Sequence, residues 1–474
     1  MCEYALGEAA LNLNTHARNR YPFLTVIVSP DDPIAALATA AASSALAAIR
    51  VSGPGSLRLL GPLLRGRRDL AALQGHTVHY GVIRDGAEDV DEVMVAVYKA
   101  PRSYTGEDGA EIFCHGSLPV IQRLMSLLLR SGFRAAGPGE FTQRAFLNGR
   151  MDLTRAEAVN EIVRARTDRA RGLALQRLGG AIETRIRAAR EALLDLRAGL
   201  EVSIDYPDDE GSDPVDPRRL EEAVGLLEGL TRTYRQGRIF QEGVSVAIAG
   251  ATNAGKSSLF NLLLRQERAI VSEVHGTTRD WLEGAVSLEG IPVRLFDTAG
   301  LRESADPLET EGIRRTEEVI AHSDAVVYVV DASVGVRAPD ERFLAGWTGA
   351  RPLLPAWNKS DLRGAAPAPA GFIPVSAVTG AGVDLLEKRI ADSVLGGPSA
   401  EAGEPLIDSE RQRDLLDRAL AALARFGEAR RGGVTADLLA VDLADALDAL
   451  GEIVGEVTTA ELLDRMFSRF CVGK

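Results

Sequence analysis

A glycine-rich segment carries the strongest chemical signal in the sequence. Residues 250–258 read Gly-Ala-Thr-Asn-Ala-Gly-Lys-Ser-Ser, after the apolar run 244–249 and before a helix-like run at 259–264. Glycines between a strand and a helix let backbone N–H groups close around a polyphosphate at the helix N-terminus. We therefore predict that Lys256 reaches the β- and γ-phosphates of a nucleotide and that Ser257 binds Mg²⁺.

Three further segments predict which nucleotide is bound. The segment Asn358-Lys359-Ser360-Asp361 offers a carboxylate that accepts from N1–H and the 2-amino group of guanine, which adenine cannot match. The segment Ser376-Ala377-Val378 would complete the base pocket through a backbone N–H. Asp297-Thr298-Ala299-Gly300 ends an apolar run, where the carboxylate would hold the Mg²⁺ shell and the last N–H would contact the γ-phosphate. Together these segments predict a GTPase.

The residues around the scissile phosphate predict an unusual way of neutralising charge. Residues 276–280 (GTTRD) stand where a switch loop is expected, with Thr278 as second Mg²⁺ ligand. Leu301 occupies the position where many regulatory GTPases have a glutamine that orients water. Because a hydrocarbon cannot orient water, the site needs another device. The side-chain carbonyl of Asn253 could hold K⁺, which would act in place of an arginine finger.

The predicted GTP contacts lie in five short segments. They are Asn253, Ala254, Gly255, Lys256, Ser257, Ser258, Ser272, Glu273, Val274, His275, Gly276, Thr277, Thr278, Asp297, Thr298, Ala299, Gly300, Asn358, Lys359, Ser360, Asp361, Ser376, Ala377 and Val378. Arg279 is a further predicted catalytic residue, and Cys471 is either a catalytic nucleophile or a small residue near a frayed end.

The elements around these motifs predict a multidomain fold. Residues 1–26 have no clear period and are expected to form a flexible extension, with an amphipathic targeting segment as the alternative. Residues 27–150 mix strand-like and helical runs, which is typical of an α+β domain. Helical periodicity at 151–243 and 397–474 surrounds strand–helix alternation at 244–396. This order predicts a discontinuous α-helical domain with an inserted α/β P-loop GTPase domain.

Two apolar stripes define the expected helix packing. The first consists of Ile182, Ile186, Ala189, Leu193, Leu196 and Leu200, and the second of Leu438, Leu439, Leu443, Leu447, Leu450 and Val454. Each repeats at helical spacing, so each predicts one buried helix face.

Composition excludes several classes of protein. The 474 residues are 46% hydrophobic and 26% charged, which is typical of a folded globular chain. A net charge of −13 argues against a protein that coats nucleic acid non-specifically. Cys2, Cys114 and Cys471 show no C-x-x-C spacing, which indicates a reducing compartment and predicts a cytoplasmic protein. The apolar runs are too short for a membrane helix.

Four segments make the sequence resemble the MnmE (TrmE) family of tRNA-modification GTPases. They are residues 103–116 (SYTGEDGAEIFCHG), 138–153 (PGEFTQRAFLNGRMDL), 276–280 within the GTPase motifs, and 470–474 (FCVGK). The likeness extends over roughly residues 33–474, and jointly the segments are specific.

The resemblance implies a function for the whole chain. It implies a homodimer formed through the N-terminal domains and K⁺-dependent GTP hydrolysis. It also implies a heterotetramer with an FAD-containing, MnmG-like partner. That complex adds a carboxymethylaminomethyl group to C5 of the wobble uridine (U34) of certain tRNAs, with 5-formyl- or methylene-tetrahydrofolate as the carbon carrier.

The resemblance also implies roles for particular residues. It places K⁺ at Asn253, Ser272, Val274 and Thr277, an indirect water-orienting role at Glu309, and folate at Arg50, Glu111, Arg150 and Lys474. The sequence departs from the family near the folate residues. Residues 39–46 read TAAASSAL where relatives have a Gly/Arg-rich run, and position 150 is Arg where Lys is usual.

A second class of function shares the GTPase motifs. A ribosome-assembly or signalling GTPase would act as a binding switch without modification chemistry. Residues 244–395 are common to both classes and cannot separate them. The segments 103–152 and 471–474 favour the tRNA-modifying enzyme.

Overall fold

The computed structural model describes residues 32–66, 69–206, 215–265, 282–298, 309–348, 351–397 and 404–474. The expected extension 1–26 lies outside these residues. By its internal contacts the chain divides into two units. The first contains Met1–Ala156 and Thr458–Lys474, and the second contains Glu157–Val457. Within the described ranges, none of the helices is both long and apolar enough to span a bilayer.

The helices and strands follow one another in a mixed order. In chain order they are β1 (Ile34–Leu37), β2 (Ser44–Ser52), α1 (Ser56–Leu60), β3 (Thr77–Asp85), β4 (Glu88–Tyr98), β5 (Gly109–Gly116), α2 (Leu118–Arg130), β6 (Arg134–Ala135), α3 (Glu140–Leu147), α4 (Leu153–Arg164), α5 (Asp168–Leu178), α6 (Ala181–Asp205), α7 (Pro217–Glu242), β7 (Val244–Gly250), α8 (Lys256–Arg265), β8 (Leu282–Leu288), β9 (Ile291–Asp297), α9 (Glu309–His322), β10 (Ala325–Asp331), α10 (Ala338–Ala345), β11 (Leu353–Asn358), β12 (Ile373–Pro374), α11 (Val383–Leu395), α12 (Glu410–Arg431), α13 (Ala436–Val454) and α14 (Ala460–Phe467).

The first unit is built on a six-stranded sheet in the order β3-β4-β5-β2-β1-β6. β1 and β6 pair in parallel, and the other neighbours are antiparallel. The helix α2 buries Ile121, Leu124 and Leu128 in the core that the sheet provides. The register of β2 and β5 places Arg50 directly opposite Glu111. Residues 61 positions apart in the sequence therefore become cross-strand neighbours.

The last residues of the sequence pack in the first unit. Leu463, Phe467 and Phe470 form a buried cluster with Leu153 and Ala156. We expected residues 397–474 to belong together to the helical domain, and this assignment stays a prediction. By internal contacts, residues 458–474 group with the N-terminal unit. The burial of these apolar side chains accounts for the grouping by contacts.

The helical part of the second unit is a bundle of α6, α7, α12 and α13. The whole expected stripe of α6 from Ile182 to Leu200 is buried. In α13 the stripe is buried from Leu439 onward, but Leu438 is 58% exposed. The prediction for Leu438 is therefore wrong. It lies in the first turn of the helix, and helical spacing alone does not show where the neighbouring helices end.

The inserted part of the second unit contains a sheet in the order β12-β11-β10-β7-β9-β8. Its strands are parallel except at the β8–β9 pair. Every residue of β7 except Gly250 is buried. Because the carboxyl ends of parallel strands meet at one edge of a sheet, the segments that follow β7, β9, β11 and β12 are brought to that edge.

A buried ion cluster holds the segment that leads from the inserted part back to the bundle. Arg177 of α5 donates through Nε to the Leu406 carbonyl at 2.8 Å. Its guanidinium also pairs with Glu161, and with Asp408 at 2.6 Å. Leu406 packs in the core of the inserted part and Ile407 in the core of the bundle. The cluster thus fixes the point where the two cores meet.

Candidate functional site

The glycine-rich loop between β7 and α8 has a backbone that its sequence requires. Gly250 has φ 140° and Gly255 has φ 93°. A Cβ on Gly250 would lie 2.2 Å from the Val329 carbonyl oxygen, and one on Gly255 would lie 2.2 Å from Asn358 Nδ2. Any side chain at either position would therefore force the loop away from the sheet. Asn253 also has a positive φ of 64°, which asparagine tolerates better than most residues.

The charged residues of this loop and the neighbouring strand end are buried. Lys256, the first residue of α8, is 5% exposed, and its Nζ donates to the Ala251 carbonyl at 2.9 Å. Ser257 follows it and is half-buried. Asp297, the last residue of β9, is 3% exposed. An ammonium group, a hydroxyl and a carboxylate thus meet at the edge where a helix begins, which suits a phosphate and its Mg²⁺.

Asn358 ties the loops of this edge together. Its Nδ2 donates to the Ala254 carbonyl at 2.8 Å, and its Oδ1 accepts from the backbone N–H of Ala377 at 3.0 Å. The side chain is 1% exposed. Both ends of the amide are therefore occupied, so the phosphate loop and the segment after β12 are held by one residue.

The segment after Asn358 is held in the same way. Lys359 Nζ lies 2.6 Å from Asp331 Oδ2, and Ser360 Oγ donates to the Val375 carbonyl at 2.8 Å. Although burial works in the opposite direction, the hydrogen bonds from Lys359 and Ser333 hold the pKa of Asp331 below its usual value. Asp361 itself is exposed. An exposed carboxylate on a braced loop is suited to select a base.

The segment after β12 is a tight turn. Ser376 is buried and its Oγ accepts from the backbone N–H of Thr379 at 3.0 Å. Ala377 is half-buried, whereas Val378 is 82% exposed. The turn therefore presents backbone near the Asn358 loop.

Several predicted site residues lie outside the described residues. They are Ser272, Glu273, Val274, His275, Gly276, Thr277, Thr278, Arg279, Ala299 and Gly300. Glu309 begins α9, but its side chain is not among those described. Their proposed roles in binding Mg²⁺, K⁺ and water stay predictions.

A second candidate site lies in the first unit, around Arg50. The guanidinium donates to Glu111 Oε1 through Nε at 3.0 Å and Nη2 at 2.8 Å, and through Nη1 to the Gly473 carbonyl at 3.1 Å. It also lies over the rings of Tyr104 and Phe141, at 5.5 and 5.6 Å from their centroids. These contacts hold one cation against aromatic walls.

These groups line a cavity of about 180 Å³. For comparison, a cavity of about 150 Å³ holds one benzene molecule. Burial raises the pKa of Tyr104, whose hydroxyl lies 2.9 Å from Thr142 Oγ1. Burial and the Glu111 carboxylate likewise raise the pKa of Tyr98. The cavity thus combines flat apolar walls with neutral hydroxyls and one carboxylate–guanidinium pair, which suits a flat heterocycle with N–H groups.

The residues 471–474 bond to residues that line this cavity or lie next to its lining. The backbone N–H of Gly139 donates to the Cys471 carbonyl, and that of Phe141 to the Lys474 carbonyl, each at 3.2 Å. Gly473 has φ 91°, and a Cβ there would lie 2.6 Å from the Leu37 carbonyl oxygen. The backbone of this segment is thereby fixed in the first unit. The Cys471 thiol is exposed.

The structure brings together Arg50, Glu111 and the segment that includes Lys474. Arg150 lines the adjoining groove and not the cavity itself. The sequence patterns taken one residue at a time do not single out Tyr98, Tyr104 and Phe141, which line the cavity. A signal for two of them was available, since Tyr104 and Phe141 lie inside the segments 103–116 and 138–153 that carried the resemblance.

The edge of the parallel sheet, with its glycine-rich loop, buried lysine and Asn358 bridge, defines a P-loop GTPase. The family description "GTP-binding protein TrmE N-terminus" matches residues 33–150, and "MnmE helical domain" matches residues 153–471. The chain therefore belongs to the MnmE family of tRNA modification GTPases, and it is a GTP hydrolase.

Two curated relatives show how far the similarity extends. The tRNA modification GTPase MnmE of Moorella thermoacetica is 43% identical over 463 residues, covering 94% of this chain and 100% of the relative. That of Carboxydothermus hydrogenoformans is 40% identical over 461 residues, with the same coverage of 94% and 100%. The similarity therefore includes both candidate sites.

Solved structures match a smaller part of the chain. Aquifex aeolicus Era bound to GDP·AlF4⁻ is 25% identical with a TM-score of 0.27, covering 38% of this chain and 66% of Era. The G domain of the T. maritima FeoB iron transporter is 26% identical with a TM-score of 0.25, covering 32% of this chain and 98% of that domain.

Proposed function

We propose that this GTPase couples K⁺-dependent GTP hydrolysis to the addition of a carboxymethylaminomethyl group at C5 of the wobble uridine (U34) of certain tRNAs. Its proposed partners are a second copy of the chain, bound through the N-terminal unit, an MnmG-like FAD protein and tRNA. Membership of a family named for tRNA modification supports this role. The cytoplasmic location predicted from the cysteines stays a prediction.

The nucleotide edge contains groups that fit the proposed ions. The Ser257 hydroxyl and the buried Asp297 carboxylate are oxygen donors of the kind that Mg²⁺ prefers, with Thr278 as the proposed second ligand. Bound Mg²⁺ would neutralise phosphate charge. The proposed K⁺ ligands are Asn253, Ser272, Val274 and Thr277.

This chain's own residues then have distinct tasks in hydrolysis. Lys256 holds the phosphates, and Asp361 selects guanine. Asn358 keeps the phosphate loop and the base loop in register, since it bonds to both. Glu309 is proposed to position the attacking water indirectly.

The cavity at Arg50 and Glu111 is proposed to bind a tetrahydrofolate carbon carrier. The aromatic walls fit the flat face of a pterin, and Glu111 Oε2 keeps acceptor capacity beyond its 3.4 Å contact with the Tyr98 hydroxyl. Arg150 and Lys474 are the other proposed contacts, and Cys471 is a proposed catalytic residue.

The observation that carries the proposal is the bonding of residues 471–474 to Arg50 and to the backbone of Phe141, both of which line this cavity. Deleting Cys471–Lys474 should therefore abolish modification of U34 while GTP binding remains. Mass spectrometry of wobble uridines in cells that carry only the truncated protein measures the first quantity, and titration with a fluorescent GTP analogue measures the second.

The alternative function is a GTPase switch in ribosome assembly or signalling. Knockout cells separate the two functions, because a switch without modification chemistry leaves U34 fully modified after the gene is removed. Intact U34 modification in the truncated strain would exclude residues 471–474 from the chemistry.

A further inference from the structure

An open groove continues from the cavity of the first unit. It has a volume of about 460 Å³ and is lined by His76, Tyr98, Arg102, Ser103, Tyr104 and Arg150. Tyr98, Ser103 and Tyr104 also line the cavity that contains Arg50. One molecule can therefore occupy both, with a compact group inside the cavity and an extended part along the groove.

The two arginines of the groove differ from most others in the first unit. Arg50, Arg123, Arg130, Arg134 and Arg144 each form an ion pair with a carboxylate. Within the described ranges, the guanidinium groups of Arg102 and Arg150 form neither an ion pair nor a hydrogen bond, and both residues are exposed.

The stem of Arg150 is nevertheless held in place. A Cβ on Gly106 would lie 3.3 Å from Arg150 Cγ, so the side chain runs closely over the backbone of the segment that follows Tyr104. Two unpaired cations beside one groove favour a ligand that carries more than one carboxylate or phosphate.

We propose that this groove binds the γ-linked glutamate tail of a folate, so that the protein prefers polyglutamylated over monoglutamylated tetrahydrofolates. The inference rests on the proposed folate role of the cavity and assigns Arg102 as a new specificity-determining residue. If the pterin occupies the cavity, the tail attached to it must pass Tyr98 and Tyr104, because those residues line both the cavity and the groove. Each added glutamate brings one more carboxylate into a groove that offers two guanidinium groups.

An RNA phosphate would also be attracted to these arginines. The shared lining residues favour the folate tail, since they join the groove to a cavity with aromatic walls rather than to an extended basic surface. The RNA backbone is therefore tested as the competing source of negative charge.

The test is calorimetric titration of the full-length protein with 5-formyltetrahydrofolate as its monoglutamate and its pentaglutamate. An exposed ion pair changes affinity by up to about fivefold, so we expect the pentaglutamate to bind about five- to tenfold more tightly. In Arg102→Ala this preference should fall to about twofold, and in Arg102→Lys most of it should remain. Arg58→Ala removes another exposed arginine, on α1 and outside the groove, and should keep the full preference.

Each outcome has a separate meaning. Equal affinity of the parent protein for the two forms overturns the tail site and leaves the folate cavity standing. If neither the monoglutamate nor the pentaglutamate binds, both the folate role of the cavity and the tail site in the groove are overturned. An unchanged preference in Arg102→Ala, accompanied by weaker tRNA binding, assigns the groove to RNA instead. Matching melting temperatures of the variants and the parent show that all are folded.

Discussion

The two candidate sites are assembled in different ways. The nucleotide edge consists of short contiguous segments, each placed at the end of a parallel strand, so that the order of the strands alone brings them together. The cavity of the first unit collects side chains from β2, β4, β5, α3 and the loop after β4. Residues 471–474 bond to two of its lining residues, Arg50 and Phe141. A site of the first kind is specified by short contiguous stretches of sequence, whereas a site of the second kind forms only when distant parts of the chain pack together.

The two sites also hold their central cations differently. Lys256 donates to a carbonyl of its own loop, five residues away. Arg50 is fixed by Glu111, by the Gly473 carbonyl 423 residues away and by two aromatic rings. If this difference reflects separate tasks, variants at one site should leave the other working.

The largest expected effect is that of Lys256→Ala. Removal of a buried cation that holds the phosphates should lower GTP turnover about 10³-fold. The affinity for 5-formyltetrahydrofolate should not change, because the cavity belongs to the other unit. Steady-state phosphate release and calorimetry measure the two quantities. Lys388→Ala removes an exposed lysine of the same unit as a control, and loss of folate binding in Lys256→Ala would contradict the separation.

The next largest effect is expected for Asp361→Asn. An amide in place of the carboxylate loses charge-assisted bonds to guanine, so GTP affinity should fall by about 100-fold and xanthine nucleotides should become preferred. Competition between GTP and XTP measures the change. Asp384→Asn alters an exposed aspartate elsewhere in the inserted part and should leave selectivity intact. A variant at Asp361 that still prefers GTP would show that the base pocket is assigned wrongly.

The nucleotide edge could be predicted from the sequence more fully than the cavity, because its residues lie in contiguous segments. The glycine-rich loop, the Asn358 segment and the turn at Ser376 were located from contiguous residues, and the structure brings them to one edge of a sheet. The buried stripe of α6 was likewise readable from its spacing.

The rest depends on register and on distant packing. That Arg50 faces Glu111 follows from the pairing of β2 and β5, which no local pattern specifies. The grouping of 458–474 with the first unit and the exposure of Leu438 depend on which helices lie nearby. The folate residues were reached only through resemblance to a family, and their roles stay predictions.

The two units also differ in how they hold buried carboxylates. Although burial opposes it, hydrogen bonds from Arg134, Gly137 and Arg144 hold the pKa of Glu140 in the first unit below its usual value. In the second unit burial raises the pKa of Glu161 to about 8, because Arg177 only partly offsets it and the Asp408 carboxylate adds to the rise. Burial in the folded second unit therefore opposes ionisation of Glu161, although its carboxyl stays bonded to Arg177.

This contrast predicts a pH dependence for the second unit. A folded-state pKa above the unfolded value of about 4.3 means that stability is fully present below pH 4 and is lost as pH rises toward 8. At about 1.4 kcal/mol for each pKa unit, the rise to about 8 corresponds to a decline of about 5 kcal/mol in unfolding free energy over this range. Glu161→Gln, which stays neutral, should remove that decline. Urea unfolding at pH 5, 6.5 and 8 measures it. Exposed Glu228→Gln is the control, and an unchanged slope in Glu161→Gln would contradict the assignment.

A smaller effect is expected from Gly473→Ala. The new Cβ would meet the Leu37 carbonyl and displace the segment whose carbonyl accepts from Arg50. Affinity for 5-formyltetrahydrofolate should fall by about tenfold, the value of one charge-assisted hydrogen bond, while GTP turnover stays unchanged. Gly433→Ala introduces a methyl group at a similar φ of 72° where nothing lies within 4 Å, so it controls for backbone strain alone. Equal folate affinity in the two variants would show that residues 471–474 do not contribute to folate binding in the cavity.

The smallest effect concerns the cation at the nucleotide edge. Asn253 is an exposed residue of the phosphate loop with φ 64°, and its side-chain carbonyl is the proposed K⁺ ligand that compensates for Leu301. GTP turnover should be about fivefold faster in KCl than in NaCl at equal ionic strength, because Na⁺ is smaller and fits the same oxygens less well. Folate affinity should be the same in both salts, since the cavity relies on Arg50 and needs no added cation. Asn253→Ala should lower the KCl rate to that in NaCl, and equal rates for the parent protein in the two salts would exclude K⁺ from hydrolysis.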